Sequence, residues 1–312
     1  YSDCWVEDAR LVVLNARDAA ERGARILTRT KLVGAEPRGA YWQAKLRDAE
    51  TGETTTRRAR MLVNAAGPWV GDVLHGTLRL NTPDDIRLVR GSHIVTRRLF
   101  DHDKAYFLQG TDGRIIFAIP YETDFTLIGT TDQEHHDADA APEITEDEQR
   151  YLLDFASSYF KTPVTADDVV WTYSGVRPLY DDGAKSATAA TRDYVLKLEH
   201  AQGVPVLNVF GGKITTYRKL AEGALGKIAE VFPQASGPWT AGVPLPGGDF
   251  PVQGVGALVE GLRADYPFLT ERWALRLVRA YGTEARAILG AARSDGDLGD
   301  AFGATLTAAE VD

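Results

Sequence analysis

The chain has 312 residues, 44% of them hydrophobic and 25% charged, an ordinary globular composition with length enough for two domains or more. Its formal net charge of −9 leaves no basic stripe to neutralise phosphates along a duplex, which argues against nucleic acid as the main partner. Cys4 is the only cysteine, so neither a disulfide framework nor a cysteine metal cluster is available, and no apolar run approaches the roughly 20 residues of a membrane-spanning helix.

In chain order, Ala9, Val12, Val13, Ala16, Ala19 and Ala20 recur at helical spacing after Glu7 and Asp8, and Gly23 supplies a stop. A strand is expected over 25–33, then a hairpin of 41–47 with 54–60, then a short apolar strand over 61–65 ending in Ala66-Gly67-Pro68-Trp69. Helix, strand, hairpin and strand in this order have the form of the second half of a nucleotide-binding α/β unit. Strand-like runs at 86–95, 104–109, 114–119 and 125–128 predict an antiparallel sheet, with Thr111-Asp112-Gly113 as a hairpin turn. A helix over 146–160, opened by Thr145 with Glu148 three residues on as in a capping box, is expected to cover one face of that sheet. The acidic run 132–148 reads as a solvated loop. Strands follow over 169–176 and 204–210, and after the turn-rich stretch 244–248 three helical patterns, 255–264, 271–281 and 284–292, form a small helical region. The sequence starts at Tyr1 and its only methionine, Met61, lies inside a strand pattern, so it reads as a fragment.

Chemistry-bearing residues concentrate between Ser174 and Arg218, in SGVRPL, TRDY and GGKITTYRKL. Gly211-Gly212-Lys213 joins an apolar strand to a helix start, where free N–H groups and the helix dipole favour an anion and glycines allow a ligand to approach the backbone. Any strand-to-helix joint has a use for the same residues. What favours a site is company: Arg177 ends one strand, Arg192 lies in the next element and Lys213 opens the helix, and about three cations suit a phosphate dianion. His93 is the candidate base, because imidazole titrates near neutrality, although its apolar neighbours suit a core histidine better on spacing alone. Asn64-Ala65-Ala66-Gly67-Pro68-Trp69 permits close approach of a bulky ligand or of a neighbouring helix. Gly129-Thr130-Thr131-Asp132 reads as an ordinary turn with an Asx-type hydrogen bond.

Taken in order, YSDCWVEDARL, NAAGPWV, GSHIV, IGTTD, WTYSGVRPL, TRDY and GGKITTYRKLAE resemble the aerobic, FAD-dependent glycerol-3-phosphate dehydrogenase family, from Tyr1 to about Gly303. The resemblance implies an α/β (α+β overall) fold: a truncated FAD-binding Rossmann-like domain with an inserted antiparallel substrate sheet and a C-terminal helical region. The corresponding ranges are 1–74 for the second half of the FAD-binding domain, 75–182 for the substrate domain, 183–240 for the FAD-binding return and 241–312 for the helical domain. It further implies FAD as cofactor and oxidation of sn-glycerol 3-phosphate to dihydroxyacetone phosphate, with hydride transferred to flavin N5 and electrons passed to membrane quinone. The enzyme would be cytoplasmic and peripheral to the cytoplasmic membrane, and a homodimer is compatible with it.

Carried over residue by residue, the resemblance makes His93 and Arg177 catalytic and gives Arg177, Arg192 and Lys213 to the substrate. Asn64, Ala66, Gly67, Trp69, Gly211, Gly212, Lys213 and Thr215 go to the flavin. Members of the family open with a G-x-G-x-x-G segment that this sequence does not contain, so the chain alone is expected to bind FAD poorly and turn over little. Two alternatives stand beside this expectation: a glycerol-3-phosphate oxidase that uses oxygen, and a non-catalytic module that binds a phosphorylated metabolite.

Overall fold

The structure is a computed structural model that describes residues 6–111, 113–181, 183, 193–234 and 237–312. The chain divides into two compact units, one formed by the residues up to 28 together with 238–312, the other by 29–237.

In the first unit, α1 (Asp8–Glu21) follows the predicted periodicity and the chain leaves it through Gly23 at φ +96°. Polar ties join α1 to the helical region at the other end of the chain. Arg17 forks onto Glu284 at 2.6 and 3.1 Å, and the Arg10 guanidinium lies 4.5 Å over the Tyr281 ring. The core of this unit comes from α4 (Val255–Asp265), α5 (Glu271–Tyr281) and α6 (Ala285–Leu289), with Leu262, Ala274, Leu277 and Leu289 buried.

The second unit carries every described residue singled out as a site candidate. Its first sheet is β1 (Thr30–Arg38), β2 (Tyr41–Asp48) and β3 (Thr54–Ala59), antiparallel in that order. The strand expected over 25–33 begins five residues later, because Arg29 sits at φ +52° and its carbonyl accepts from the Ala49 N–H, so the chain turns there. β4 (Leu62–Asn64) pairs in parallel with β12 (Val204–Phe210), and β11 (Val195–Ala201) pairs antiparallel on β12's other side. All seven residues of β12 are buried, which accounts for its nearly continuous apolar run. Its one polar member, Asn208, lies opposite Asn64 and accepts a hydrogen bond from it at 3.1 Å.

The second large sheet has the order β10-β5-β8-β7-β6, with the short β9 also on β5. Its strands are β5 (Ile86–Arg97), β6 (Tyr106–Gln109), β7 (Ile115–Tyr121), β8 (Phe125–Gly129), β9 (Gln133–His135) and β10 (Val169–Tyr180), all paired antiparallel. α2 (Glu146–Ser157) starts with the expected capping box of Thr145 and Glu148 and lies on β5 and β8. It buries Leu152, Phe155 and Ala156 against Ile94, Ile116, Ala118 and Ile128. The opposite face of the sheet carries the site. After β12 the chain passes through the glycine turn into α3 (Tyr217–Ala229).

Trp42 is wholly buried where β2 meets β12, and its indole N–H donates to the Pro205 carbonyl at 2.8 Å. Trp42→Ala removes both the ring and that hydrogen bond, and is expected to cost about 3–5 kcal/mol in urea unfolding. A loss within error would show that the hairpin contributes little to this unit.

Candidate functional site

β5 and β10 pair in a register that sets His93 opposite Tyr173, Gly91 opposite Gly175 and Val89 opposite Arg177, so all six share one face of the sheet. The His93 ring stacks on Tyr173, with centroids 4.8 Å apart and planes 8° from parallel. On its other side His93 lies opposite Gly129 of β8, where any Cβ would collide with the imidazole. Glycine inside a strand marks such a close approach.

Gly91 serves Arg177 in the same way. A Cβ there would overlap the guanidinium, so Arg177 lies across the backbone of β5 two residues from His93, about 7 Å along the strand. The guanidinium donates to Asp132 Oδ1 at 2.5 Å and to Thr130 Oγ1 at 3.0 Å, in the segment between β8 and β9. Asp132 balances its charge, while further N–H groups of the fork remain for another acceptor.

Electrostatics follow from this packing. Burial first, and the Arg177 cation second, push the His93 imidazole down to about 4. Its Nδ1 is buried without a hydrogen-bond partner. At neutral pH the ring is therefore uncharged and holds a lone pair, the state a proton acceptor requires.

The glycine turn abuts the same strand. Gly211 and Gly212 take φ of +69° and +103°, and a Cβ on Gly211 would stand 3.4 Å from the carbonyl oxygen of Pro178, the residue after Arg177. The positive φ and the neighbouring backbone both demand glycine at 211. Lys213 and Thr215 follow, exposed, at the start of the turn into α3. The crossover, the segment that follows β4, also reaches β10: the 3₁₀ turn Gly67–Trp69 packs on it. Asn64 is buried, donating to Val70 O at 3.0 Å, and its own Oδ1 is left without a partner. Trp69 is 43% exposed and donates to Asp139 at 2.7 Å. Ala66 lines an apolar hollow of about 330 Å³ together with Leu32, Leu62, Asn64 and Leu78.

His93 and Arg177 thus share one face, with Gly211 and the Gly67–Trp69 turn against the same strand. Arg192 lies outside the described residues, as does Asp112 of the 111–113 turn. Two expectations are corrected. Gly129–Asp132 is not an ordinary turn, since Thr130 and Asp132 hold Arg177. Nor is 132–148 solvated throughout, since Glu148 at its end is 4% exposed. Sequence reasoning missed Asp132, Thr130, Tyr173 and the two strand glycines; a glycine within an otherwise apolar strand was the signal available for Gly91 and Gly129.

The profile of the FAD dependent oxidoreductase family matches residues 1–218. The chain is 46% identical over 313 residues to the glycerol-3-phosphate dehydrogenase of Pseudomonas aeruginosa and 44% identical over 313 residues to the D-erythritol 1-phosphate dehydrogenase of Brucella abortus. Each alignment covers 100% of this chain but 61% and 62% of the relative, so the chain spans less than two thirds of their length. The solved glycerol-3-phosphate dehydrogenase of Bacillus halodurans, complexed with FAD, superposes with a TM-score of 0.78 at 30% identity, over 91% of this chain and 55% of that one.

A histidine held near 4 in the fold against 6.5 when free favours the neutral ring. Its contribution to stability is complete above pH 6.5 and is lost as the pH falls through that value toward 4. His93→Gln is therefore expected to flatten the decline of the urea midpoint between pH 6.5 and 4 relative to the wild type. Parallel pH profiles for the two proteins would contradict this account of the ring.

Proposed function

This chain belongs to the FAD-dependent oxidoreductase family, and on that premise we propose that its protein oxidises sn-glycerol 3-phosphate to dihydroxyacetone phosphate and passes the electrons to a membrane quinone. The observation that carries this reading is the uncharged, partly buried His93 set beside the Arg177 guanidinium on one face of the sheet. Its likeness over the whole chain to glycerol-3-phosphate dehydrogenases supports the choice of substrate.

The residues present fit a flavin. Positive-φ glycines lead into a helix start, an apolar hollow lies along β4, and Asn64 Oδ1 is an unused buried acceptor in that hollow's wall. Gly211, Gly212, Lys213 and Thr215 would hold the ring edge, and Asn64, Ala66, Gly67 and Trp69 the crossover side. When bound, FAD supplies the acceptor for a hydride.

His93 takes the proton from the C2 hydroxyl as hydride leaves that carbon. Burial is the larger cause of its low basicity, and the substrate phosphate offsets only the smaller one, the Arg177 charge. Arg177 orients the substrate through the N–H groups that Thr130 and Asp132 leave free. Lys213, exposed at the helix start, supplies positive charge that Asp132 does not cancel. Among the described residues no helix is long and apolar enough to cross a membrane.

The Brucella relative favours a second reading, in which a four-carbon polyol phosphate is the substrate. A Cβ on Gly175, midway between Tyr173 and Arg177, would meet nothing within 4 Å, which leaves room on this face for a longer carbon chain.

Dye reduction by the FAD-loaded holoenzyme tests both, with sn-glycerol 3-phosphate and D-erythritol 1-phosphate as substrates. Arg177→Ala is expected to lower kcat/KM about 10²–10³-fold, the scale of losing a charge-assisted contact in a buried site. Gly91→Ala, which evicts the guanidinium while keeping it in the chain, should reproduce most of that loss. Wild-type rates in both variants would move the substrate site elsewhere, and greater kcat/KM for the four-carbon substrate would select the second reading.

A further inference from the structure

Glu148 is a charged side chain for which the proposed chemistry has no direct use. It occupies the third position of α2, where a capping-box glutamate normally reaches back to its cap and otherwise faces water. Here it is 4% exposed and accepts from five donors. Oε1 accepts from the Ser92 hydroxyl at 2.9 Å and the Thr131 hydroxyl at 2.7 Å. Oε2 accepts from Arg90 at 2.7 Å and from the Thr145 N–H and hydroxyl at 2.9 and 3.0 Å. Burial alone would favour the neutral acid, yet the Thr145 N–H and the Thr131 and Ser92 hydroxyls hold the carboxyl below its ordinary range. It is a buried anion with its acceptor capacity filled.

Thr131 is the link that matters. Its hydroxyl also accepts from the Ser92 N–H at 3.0 Å, and its own N–H donates to the Ser92 carbonyl at 3.3 Å. The residues on either side of it, Thr130 and Asp132, are those that hold the two ends of the Arg177 fork. Three consecutive residues are thus gripped from opposite faces of the sheet, Thr131 by Glu148 on the helix side, Thr130 and Asp132 by Arg177 on the site side.

We propose that Glu148 is a positioning residue for Arg177, acting across the sheet through the Thr130–Asp132 segment. The role rests on the reading that Arg177 meets the substrate. Without the carboxylate, the Thr131 hydroxyl and the Ser92 hydroxyl lose a shared acceptor, the segment is free to shift, and Asp132 carries the guanidinium with it. Glutamine at 148 retains one acceptor oxygen and introduces an N–H₂ group facing existing donors.

The test is a double-mutant cycle on kcat/KM for sn-glycerol 3-phosphate in the FAD-loaded holoenzyme, using Glu148→Gln, Arg177→Ala and the pair, with thermal midpoints for each. Glu148→Gln alone is expected to lower kcat/KM about tenfold, and in the Arg177→Ala background by less than about twofold, while its loss in thermal midpoint is the same in both. A merely structural glutamate would cost the same factor in both backgrounds, and that result, or no loss in the single variant, overturns the proposal. Should Glu148→Gln not fold, Thr131→Val carries the same cycle with the carboxylate, its cap and Arg90 in place. If Arg177→Ala leaves kcat/KM at the wild-type value, the substrate reading itself falls. If Arg177→Ala is impaired and the cycle is additive, only the role of Glu148 falls.

Discussion

Ser92 and His93 are consecutive on β5, and the pleat of the strand sends them to opposite faces. Along this strand the period of two separates two chemistries: Arg90, Ser92 and Ile94 face α2, while Val89, Gly91 and His93 face the site. A slip of one residue against β10 or β8 would bring the imidazole into the packed helix face and the serine hydroxyl to the site. Register is therefore under strong restraint, and the apolar layer of Ile94, Ile128 and Ala118 under α2 supplies it. The face that carries the proposed site inherits its geometry from the packing on the other side.

Each face carries an arginine–carboxylate pair, and the two differ in cost. Arg90–Glu148 is nearly closed to solvent, with side-chain exposures of 18% and 3%, whereas Arg177–Asp132 keeps 33% and 23%. A buried pair contributes little net stability over an apolar replacement, but removing one partner costs about 3–5 kcal/mol because a charge is left without compensation. Glu148 and Arg90 are thus held to their positions once the fold exists. Arg177 retains solvent access, and an arginine held by a carboxylate and a hydroxyl on one side still presents donors on the other.

Much of this architecture is legible in the chain. The capping box at Thr145 and Glu148, the hairpin of β2 and β3, the apolar run of β12 and the strand-turn-helix at Gly211 all follow from local pattern, since each is set by residues close together in the chain. Where local pattern fails, the partner is distant. Asp132 and Glu148 stand in an acidic run that composition assigns to solvent, yet their partners Arg177, Ser92 and Arg90 lie 45 or more residues away. The late start of β1 has a different cause: Arg29 adopts a left-handed conformation that nothing in its side chain announces. For His93 the sequence left two fates open, core or base, and the structure makes them compatible, because the burial that gives it a packed environment also keeps it unprotonated.

That compatibility bears on how charge is divided in the proposed site. A phosphorylated alcohol brings two demands: positive charge for the phosphate, and an uncharged acceptor for the hydroxyl proton. One fully ionic arginine beside the imidazole would satisfy the first and spoil the second by depressing the base further. Asp132 pairs with that guanidinium and fixes the direction of its fork, while the cation still helps to keep the ring unprotonated in the free site. Net positive charge then falls to the turn that opens α3, where Lys213 is exposed and the helix dipole adds to it. In the proposed reading, orientation by a paired arginine next to the base, with charge supplied from the helix start, would let one site hold a dianion and still leave its histidine able to take a proton.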